Sequence, residues 1–284
     1  MFSVDEAFAP VANFINGIVF FSLKAGSADI PLVVVGLGLS SIALTLAFRF
    51  LNIRGFFHAW KILMKGAPTD QNTKGEISHF EALSAALSGT IGLGNIASVP
   101  IAIALGGPGA IFWMLVAGFF AMSTKFAECT LAVKYRRVGP DGRVSGGPMY
   151  YIEAAFLRLK RPRLGKVLAV AFALMAVGAS VSIFQINQAY VQFERVAHVE
   201  APFLFGAVLA SLVAVIVLGG IKSIARVTSR LVPAMCVLYL GAGFIILAVN
   251  AAQIPSVFGQ IWAGAFGLDA AAGGAVGAII NGLK

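Results

Sequence analysis

Long apolar runs alternate with polar segments along this chain, and the runs have the length of membrane helices rather than of strands. A helix that spans a bilayer needs about 20 mostly apolar residues. A segment at 80–105 and another that begins near Trp262 belong to the same pattern, which predicts about six or seven spans in all. The clearest candidates lie at 30–51, 110–134, 166–188, 202–219 and 231–250.

The first apolar stretch, at 8–23, is shorter and contains Asn13 and Asn16. It predicts an interfacial or re-entrant helix rather than a span. We therefore expect residues 1–29 to form an extracellular or interfacial N-terminus, with 30–51 as the first full transmembrane helix.

The composition indicates a membrane protein and excludes other classes. Only 12% of the 284 residues are charged, and the mean hydropathy is +0.89. Soluble domains carry about 25% charged residues. The chain has 32 glycines, and glycine is more frequent in membrane helices than in soluble ones. Together these values argue against a soluble globular enzyme and against a disordered chain.

Lysine and arginine are concentrated in alternate loops. Of the 21 cations, five lie in 49–77, nine in 134–166 and three in 220–230, which we interpret as a short basic loop. Cytoplasmic loops of membrane proteins carry an excess of these residues. The pattern therefore predicts that these loops are cytoplasmic and that the N-terminus lies outside. It also explains the net charge of +9 without nucleic acid as a partner.

The apolar segment at 80–105 is interrupted by glycine. Gly89, Gly92 and Gly94 fall close together, and each costs about 1 kcal/mol of helix propensity relative to alanine. Non-helical backbone at membrane depth is tolerated inside protein or beside a water-filled cavity, and broken helices of this kind hold solutes and ions in secondary transporters. Thr90 adds a side-chain oxygen, a ligand that suits hard cations.

Two other interpretations of these glycines stay open at this point. Small residues three and four positions apart also let helix backbones approach each other closely. The stretch 92–97 fits the pattern G-x-G-x-x-A of dinucleotide-binding sites. That motif requires a preceding strand and an acidic residue roughly 20 positions later. The preceding residues are helix-like and the next acid is Glu128, so we set the dinucleotide interpretation aside.

The predicted span at 166–188 contains Gln185 and Asn187. Amide side chains inside a span face the protein interior or a cavity, so these two could line a solute site. They could equally join helices by hydrogen bonds. Motifs for nucleotide hydrolysis, zinc proteolysis and serine hydrolysis are absent from the sequence, which therefore favours a protein that is not an enzyme.

Four long blocks, in order, resemble a known family. They are 77–136, which contains the glycine-rich segment, then GGPMYYIE at 146–153, GGIKSIARV at 219–227 and AFGLDAAAGGAVGAIINGLK at 265–284. The family that they resemble is the alanine or glycine:cation symporters, also called sodium:alanine symporters. The resemblance extends over almost the whole chain, and it is specific because several blocks occur in order rather than one short pattern.

The resemblance implies a secondary active transporter that imports a small neutral amino acid, alanine or glycine. The coupling ion would be Na⁺ and sometimes H⁺, with no enzymatic cofactor. The location implied is the cell (inner) membrane, crossed several times. The fold class implied is an all-α integral membrane protein of the leucine-transporter type, a five-plus-five inverted repeat with an extra first helix.

On this fold, 30–51 is the extra first helix and 80–250 is the first repeat, whose first helix is broken near 89–95. Residues 262–284 would begin the second repeat, which is truncated because the family is much longer than this chain. One alternative function is therefore a truncated, non-transporting fragment of such a symporter. Another is a proton-coupled amino-acid transporter of the same fold.

The resemblance also implies a substrate site formed by the family's unwound helix and its fourth span. The matching residues are Thr90, Gly92, Gly94, Asn95, Gln185 and Asn187. Na⁺ would be held by backbone or side-chain oxygens of Gly92 and Asn95. Leu93 stands where many relatives carry Thr or Ser, so one polar contact of the family is missing.

Overall fold

The structure is a computed structural model, and the predicted interfacial helix at 8–23 lies mostly outside the residues that it describes. The last part of the chain, 267–284, lies outside them as well. The described residues are 21–25, 28–65, 77–140, 144–179 and 183–266, together with Pro10 and Gly17.

The described part of the chain is mainly helical. The helices before the first long basic loop are α1 (Leu32–Ala47), α2 (Leu51–Arg54), α3 (Phe56–Lys65), α4 (His79–Thr90), α5 (Leu93–Gly106) and α6 (Gly109–Lys134). The helices after it are α7 (Pro148–Arg158), α8 (Pro162–Ala179), α9 (Ile183–Ala197), α10 (Pro202–Leu218), α11 (Gly220–Val249) and α12 (Ile254–Phe266), with a 3₁₀ turn at Ala251–Gln253.

Two short antiparallel hairpins accompany the helices. Strands β1 (Ser22–Ala25) and β2 (Ala28–Pro31) pair with Ser22 opposite Pro31. Strands β3 (Arg137–Val138) and β4 (Val144–Ser145) pair within the basic region after α6. The apolar pattern did not predict either hairpin, because strands of two to four residues are too short to show a clear alternation.

Two helices of the described residues, α6 and α11, are long and apolar enough to cross a membrane, and α4 with α5 adds a third if the bent pair forms one span. Helices α1 and α10 are apolar but have 16 and 17 residues. Within the described residues there are thus fewer full-length spans than the pattern predicts for the whole chain. The run at 166–188 contains most of α8 and the start of α9, and residues 180–182 between them lie outside the described part of the chain.

The basic segment 220–230 is helical, so its interpretation as a loop is wrong. Helix α11 begins at Gly220, which has a φ of +70°, and continues through this segment into the apolar run. Lys222, Arg226 and Arg230 are spaced four residues apart and therefore lie on one face of the helix. The loop interpretation relied on charge alone, although this spacing is typical of an exposed helical face.

The chain forms two compact units. Unit 1 contains residues 1–56, 94–126 and 245–284, and unit 2 contains residues 57–93 and 127–244. The buried side chains of the described residues are small in both units, as expected where helix backbones approach closely. Large apolar side chains are instead exposed, for example Phe203, which suits helices that face lipid.

In unit 1 a polar seam joins α1 to α6. The hydroxyl of the fully buried Thr45 lies 2.9 Å from Oγ of Ser123 and 2.8 Å from the carbonyl oxygen of Ser41. The hydroxyls of Ser41 and Thr124 lie 2.9 Å apart. These groups satisfy one another away from water, so the seam sets the register of the two helices.

Thr45→Val should lower the stability of the protein, because it removes the central hydroxyl of the polar seam at nearly constant volume. Side-chain hydrogen bonds between membrane helices contribute about 0.6 kcal/mol on average and at most about 1.7 kcal/mol. We expect a loss in this range, measured by equilibrium unfolding in detergent. Ser40→Ala is the control, since the Ser40 hydroxyl is exposed and donates to Leu37 of its own helix. An equal loss in both variants would contradict a role for the seam.

A second close approach in unit 1 brings α12 against the start of α6. A methyl group on Gly109 would overlap the backbone of Gly264 and Ala265, and one on Gly264 would lie 2.8 Å from the amide nitrogen of Gly109. Ala110 and Ala265 are buried beside this crossing. Four aromatic rings surround it with centroid separations from 4.7 to 6.2 Å, namely Phe112, Trp113, Trp262 and Phe266.

Candidate functional site

Helix α4 begins at a complete capping box. The Ser78 hydroxyl accepts a hydrogen bond from the backbone N–H of Glu81 at 3.3 Å, and the Glu81 carboxylate accepts one from the backbone N–H of Ser78 at 2.9 Å. Reciprocal bonds of this kind satisfy two backbone donors that the helix leaves without partners. The cap fixes the first residue of α4.

Helix α4 ends at Thr90, and helix α5 begins at Leu93. The backbone of Ile91 is extended, with φ −82° and ψ 109°, and its N–H still donates to the carbonyl of Leu87. The last carbonyl groups of a helix and the first N–H groups of the next have no partners within their helices. An interruption of this kind therefore offers acceptors on one side, where a cation is favoured, and donors on the other, where an anion is favoured.

Gly92, in the interruption, lies directly against the side chain of Gln185 on α9. A methyl group on Gly92 would be 2.7 Å from Nε2 and 3.6 Å from Cδ of Gln185. Both residues belong to unit 2. A residue larger than glycine would therefore displace the amide group of Gln185 from this position. The structure thus brings together two of the residues that the sequence selected separately.

Asn187 does not share the face of α9 that carries Gln185. Residues two apart on a helix are separated by about 200° and do not face each other. Thr90 uses its hydroxyl to donate to the carbonyl oxygen of Ala86, 2.8 Å away in the same helix. The roles of Asn187 and Thr90 in a site stay predictions.

Gly94 and Asn95 lie in the first turn of α5, and both are exposed. A methyl group on Gly94 would meet no atom within 4 Å, so close approach does not explain this glycine. The two residues belong to unit 1, since the division between the units falls after Leu93. Their place at the start of a helix puts them next to backbone N–H groups that have no intrahelical acceptor.

Sequence reasoning missed a charged contact after α6. A guanidinium nitrogen of Arg137 lies 2.8 Å from the carboxylate of Glu153, and the same guanidinium lies over the ring of Tyr150 at 5.3 Å. Nearby, the guanidinium of Arg158 lies over the ring of Tyr135 at 5.5 Å. The motif GGPMYYIE places Glu153 after a strongly basic stretch. This closeness of opposite charges was the signal in the sequence that could have indicated an ion pair. The partner of Glu153 is 16 residues away and could not be selected among nine cations without the hairpin.

The comparison with protein families decides to which family the chain belongs. The model described as "Sodium:alanine symporter family" matches residues 16–284, which is nearly the whole chain. The chain belongs to the sodium:alanine symporter family. Members of this family are membrane transporters rather than enzymes. With its apolar helices, the chain is therefore part of an all-α, multi-pass membrane protein.

Three curated relatives are similar to this chain over most of its length. "Sodium/alanine symporter AgcS" of Methanococcus maripaludis is 44% identical over 86% of this chain and 54% of its own length. "Probable sodium/glutamine symporter GlnT" of Bacillus subtilis is 36% identical over 84% and 48%. "Amino-acid carrier protein AlsT" of the same organism is 33% identical over 87% and 50%. The chain thus spans about half the length of these relatives.

Proposed function

We propose that the protein is a secondary active transporter that imports a small neutral amino acid, alanine or glycine, together with Na⁺. Family membership supports cation-coupled amino-acid transport in general terms. The contact between Gly92 and Gln185, at the interruption between α4 and α5, is the observation that links the proposal to particular residues. Discontinuous helices bind solutes and ions with the backbone groups at the break, and Gln185 lies against this break.

In the proposed mechanism, the carboxylate of the amino acid meets the N–H groups at the start of α5, where the helix dipole favours an anion. The amide of Gln185 contacts a polar end of the same solute. Na⁺ is proposed to bind the carbonyl oxygen of Gly92 and the side-chain oxygen of Asn95, since neutral oxygens suit a hard cation. Thr90, Gly94 and Asn187 complete the proposed set.

The proposed fold is the five-plus-five inverted repeat, with 30–51 as the extra first helix, 80–250 as the first repeat and 262–284 as the start of the second. The proposed location is the inner membrane. Following the charge pattern, the N-terminus would lie outside and the basic segments in the cytoplasm. AgcS and GlnT differ in the amino acid that their names state, so alanine, glycine and glutamine should be compared as substrates.

Asn95→Ala should weaken the binding of Na⁺ and of alanine together. Coupling requires each ligand to change the affinity of the other by the same factor. Hydrogen bonds to charged groups contribute about 1.5–3 kcal/mol, so we expect both apparent affinities to fall roughly tenfold or more. The measurement is uptake of labelled alanine into proteoliposomes as a function of Na⁺ concentration.

Asn250→Ala is the matched control, because the Asn250 amide donates to the carbonyl oxygen of Ile246 in the last turn of α11 and lies outside the proposed site. Unchanged alanine affinity and Na⁺ dependence in the Asn95 variant would overturn the assignment of Asn95. Replacement of Na⁺ by choline tests the ion itself. Full uptake in choline that follows a pH gradient would identify H⁺ as the coupling ion and overturn Na⁺ coupling.

A further inference from the structure

Helices α7 and α8 approach each other closely at Gly165 in unit 2. Gly165 is buried, and a methyl group there would lie 2.6 Å from Cβ of Phe156 and 3.4 Å from the carbonyl oxygen of Glu153. The ion pair between Arg137 and Glu153 then ties strand β3 to α7. Close packing at Gly165 thus holds α7 and α8 together, and the ion pair holds β3 to α7.

A cavity of about 310 Å³ lies where these elements meet. This is within the size range of sites for small ligands. Three cationic side chains and one carboxylate line it, and the carboxylate is already paired with one of the three cations. The lining residues are Arg137, Glu153, Ala154, Leu157, Pro162, Arg163 and Lys166. The cavity therefore combines an excess of positive charge with an apolar wall.

Two of the cations are placed against the preference of their helix. Arg163 and Lys166 lie at the N-terminal end of α8, and the first turn of this helix has no acidic residue. The N-terminal end of a helix carries a partial positive charge, which disfavours cations there and favours anions. An anion bound in the cavity would compensate the two side chains and the helix end at once.

The cavity also lies at the start of an apolar helix. After Lys166, helix α8 contains no charged residue, and Val167, Val170 and Leu174 are more than half exposed, as lipid-facing residues are. The phosphate groups of lipids lie directly outside the hydrocarbon layer, where a basic helix end that precedes an apolar stretch can meet them. Basic pockets beside membrane helices bind the head groups of anionic lipids.

We propose that this cavity binds the phosphate group of an anionic phospholipid. Arg163 and Lys166 contact the phosphate, Arg137 stays paired with Glu153 and adds positive charge, and Leu157 and Pro162 contact the apolar part of the lipid. The proposal is independent of the transported solute, and the same phosphate chemistry could be supplied by a soluble anion, which the experiment distinguishes.

The test is a titration of the purified protein with short-chain phosphatidylglycerol, followed by microscale thermophoresis. Each cation near an anionic lipid contributes about 1 kcal/mol. Arg163→Gln with Lys166→Gln should therefore weaken binding roughly 30-fold. Lys160→Gln with Arg161→Gln removes the same charge from the adjacent connection between α7 and α8, but these two residues do not line the cavity, and binding should change far less.

Arg163→Lys with Lys166→Arg keeps the charge and should bind nearly as the parent protein does, which separates a loss of charge from a loss of fold. Phosphatidylcholine should bind more weakly than phosphatidylglycerol, and inorganic phosphate should not compete at equal concentration. Equal competition by inorganic phosphate would identify a soluble anion as the occupant and overturn the lipid assignment. Equal affinity of the two glutamine double variants would overturn the site itself.

Discussion

Gly92→Ala should strongly reduce amino-acid uptake at low substrate concentration while leaving the protein folded. The new methyl group would lie 2.7 Å from Nε2 of Gln185, too close for any carbon and nitrogen that are not bonded. Because this nitrogen ends a flexible side chain, it can move aside at little cost in stability. It then no longer contacts the solute at the proposed position, and a hydrogen bond to a charged group is worth about 1.5–3 kcal/mol. We expect the apparent affinity for alanine to fall roughly tenfold or more, measured as Na⁺-dependent uptake.

Gly178→Ala is the control for this experiment. It adds the same methyl group to a helix of unit 2, where no atom lies within 4 Å of the added carbon. The substitution should leave uptake unchanged and raise helix propensity. The mechanism also predicts non-additivity, because Gly92→Ala should cost much less in a Gln185→Ala background. The same loss in both backgrounds would show that Gly92 does not act through Gln185.

Gly109→Ala should cause a large loss of stability for a substitution that adds a single methyl group. The added carbon would overlap main-chain atoms of Gly264 and Ala265, which cannot move without shifting helix α12. Overpacking of this kind costs typically about 1–3 kcal/mol. Gly109 is the first residue of α6, so alanine gains less than the helix propensity of about 1 kcal/mol that applies in a helix interior, and this gain offsets only part of the cost. We expect a lower melting temperature in detergent, together with a changed environment of Trp262 that fluorescence can report.

Gly118→Ala provides the matched comparison on the same helix. Gly118 is exposed and has no atom within 4 Å of the added carbon, so its substitution should be neutral or stabilising. Gly264→Ala approaches the same crossing from the other helix and should be destabilising as well. Equal melting temperatures for the Gly109 and Gly118 variants would contradict a tight crossing of α6 and α12.

The pattern of apolar runs was sufficient to predict a membrane protein made of helices, since the free energy of burying each run in lipid depends mainly on that run. It was also sufficient to select the glycine-rich segment as irregular. The pattern could not place the ends of the helices. Any of the three glycines could have interrupted the helix. In the structure α4 ends at Thr90, and Gly94 lies inside α5. The capping box at Ser78 and the extended backbone of Ile91 decide this.

The segment 220–230 shows where charge alone misleads. Its three cations predicted a loop, yet their spacing by four residues is that of one helical face. Gln185 and Asn187 show a related limit. They are close in sequence and were selected together, but the geometry of α9 turns them to different sides. Only Gln185 is described in contact with a glycine of the interruption.

The sequence by itself determined the membrane class, the family and the glycine-rich segment, because each of these depends on residues that are near one another in the chain. Only the tertiary structure decided which distant residues meet. Gly92 with Gln185, Gly109 with Gly264, and Arg137 with Glu153 are such pairs. A hydrophobic run indicates that a helix must be shielded from water. Which helix packs against it depends on the shapes of both surfaces, and these shapes arise only when all the helices are in place.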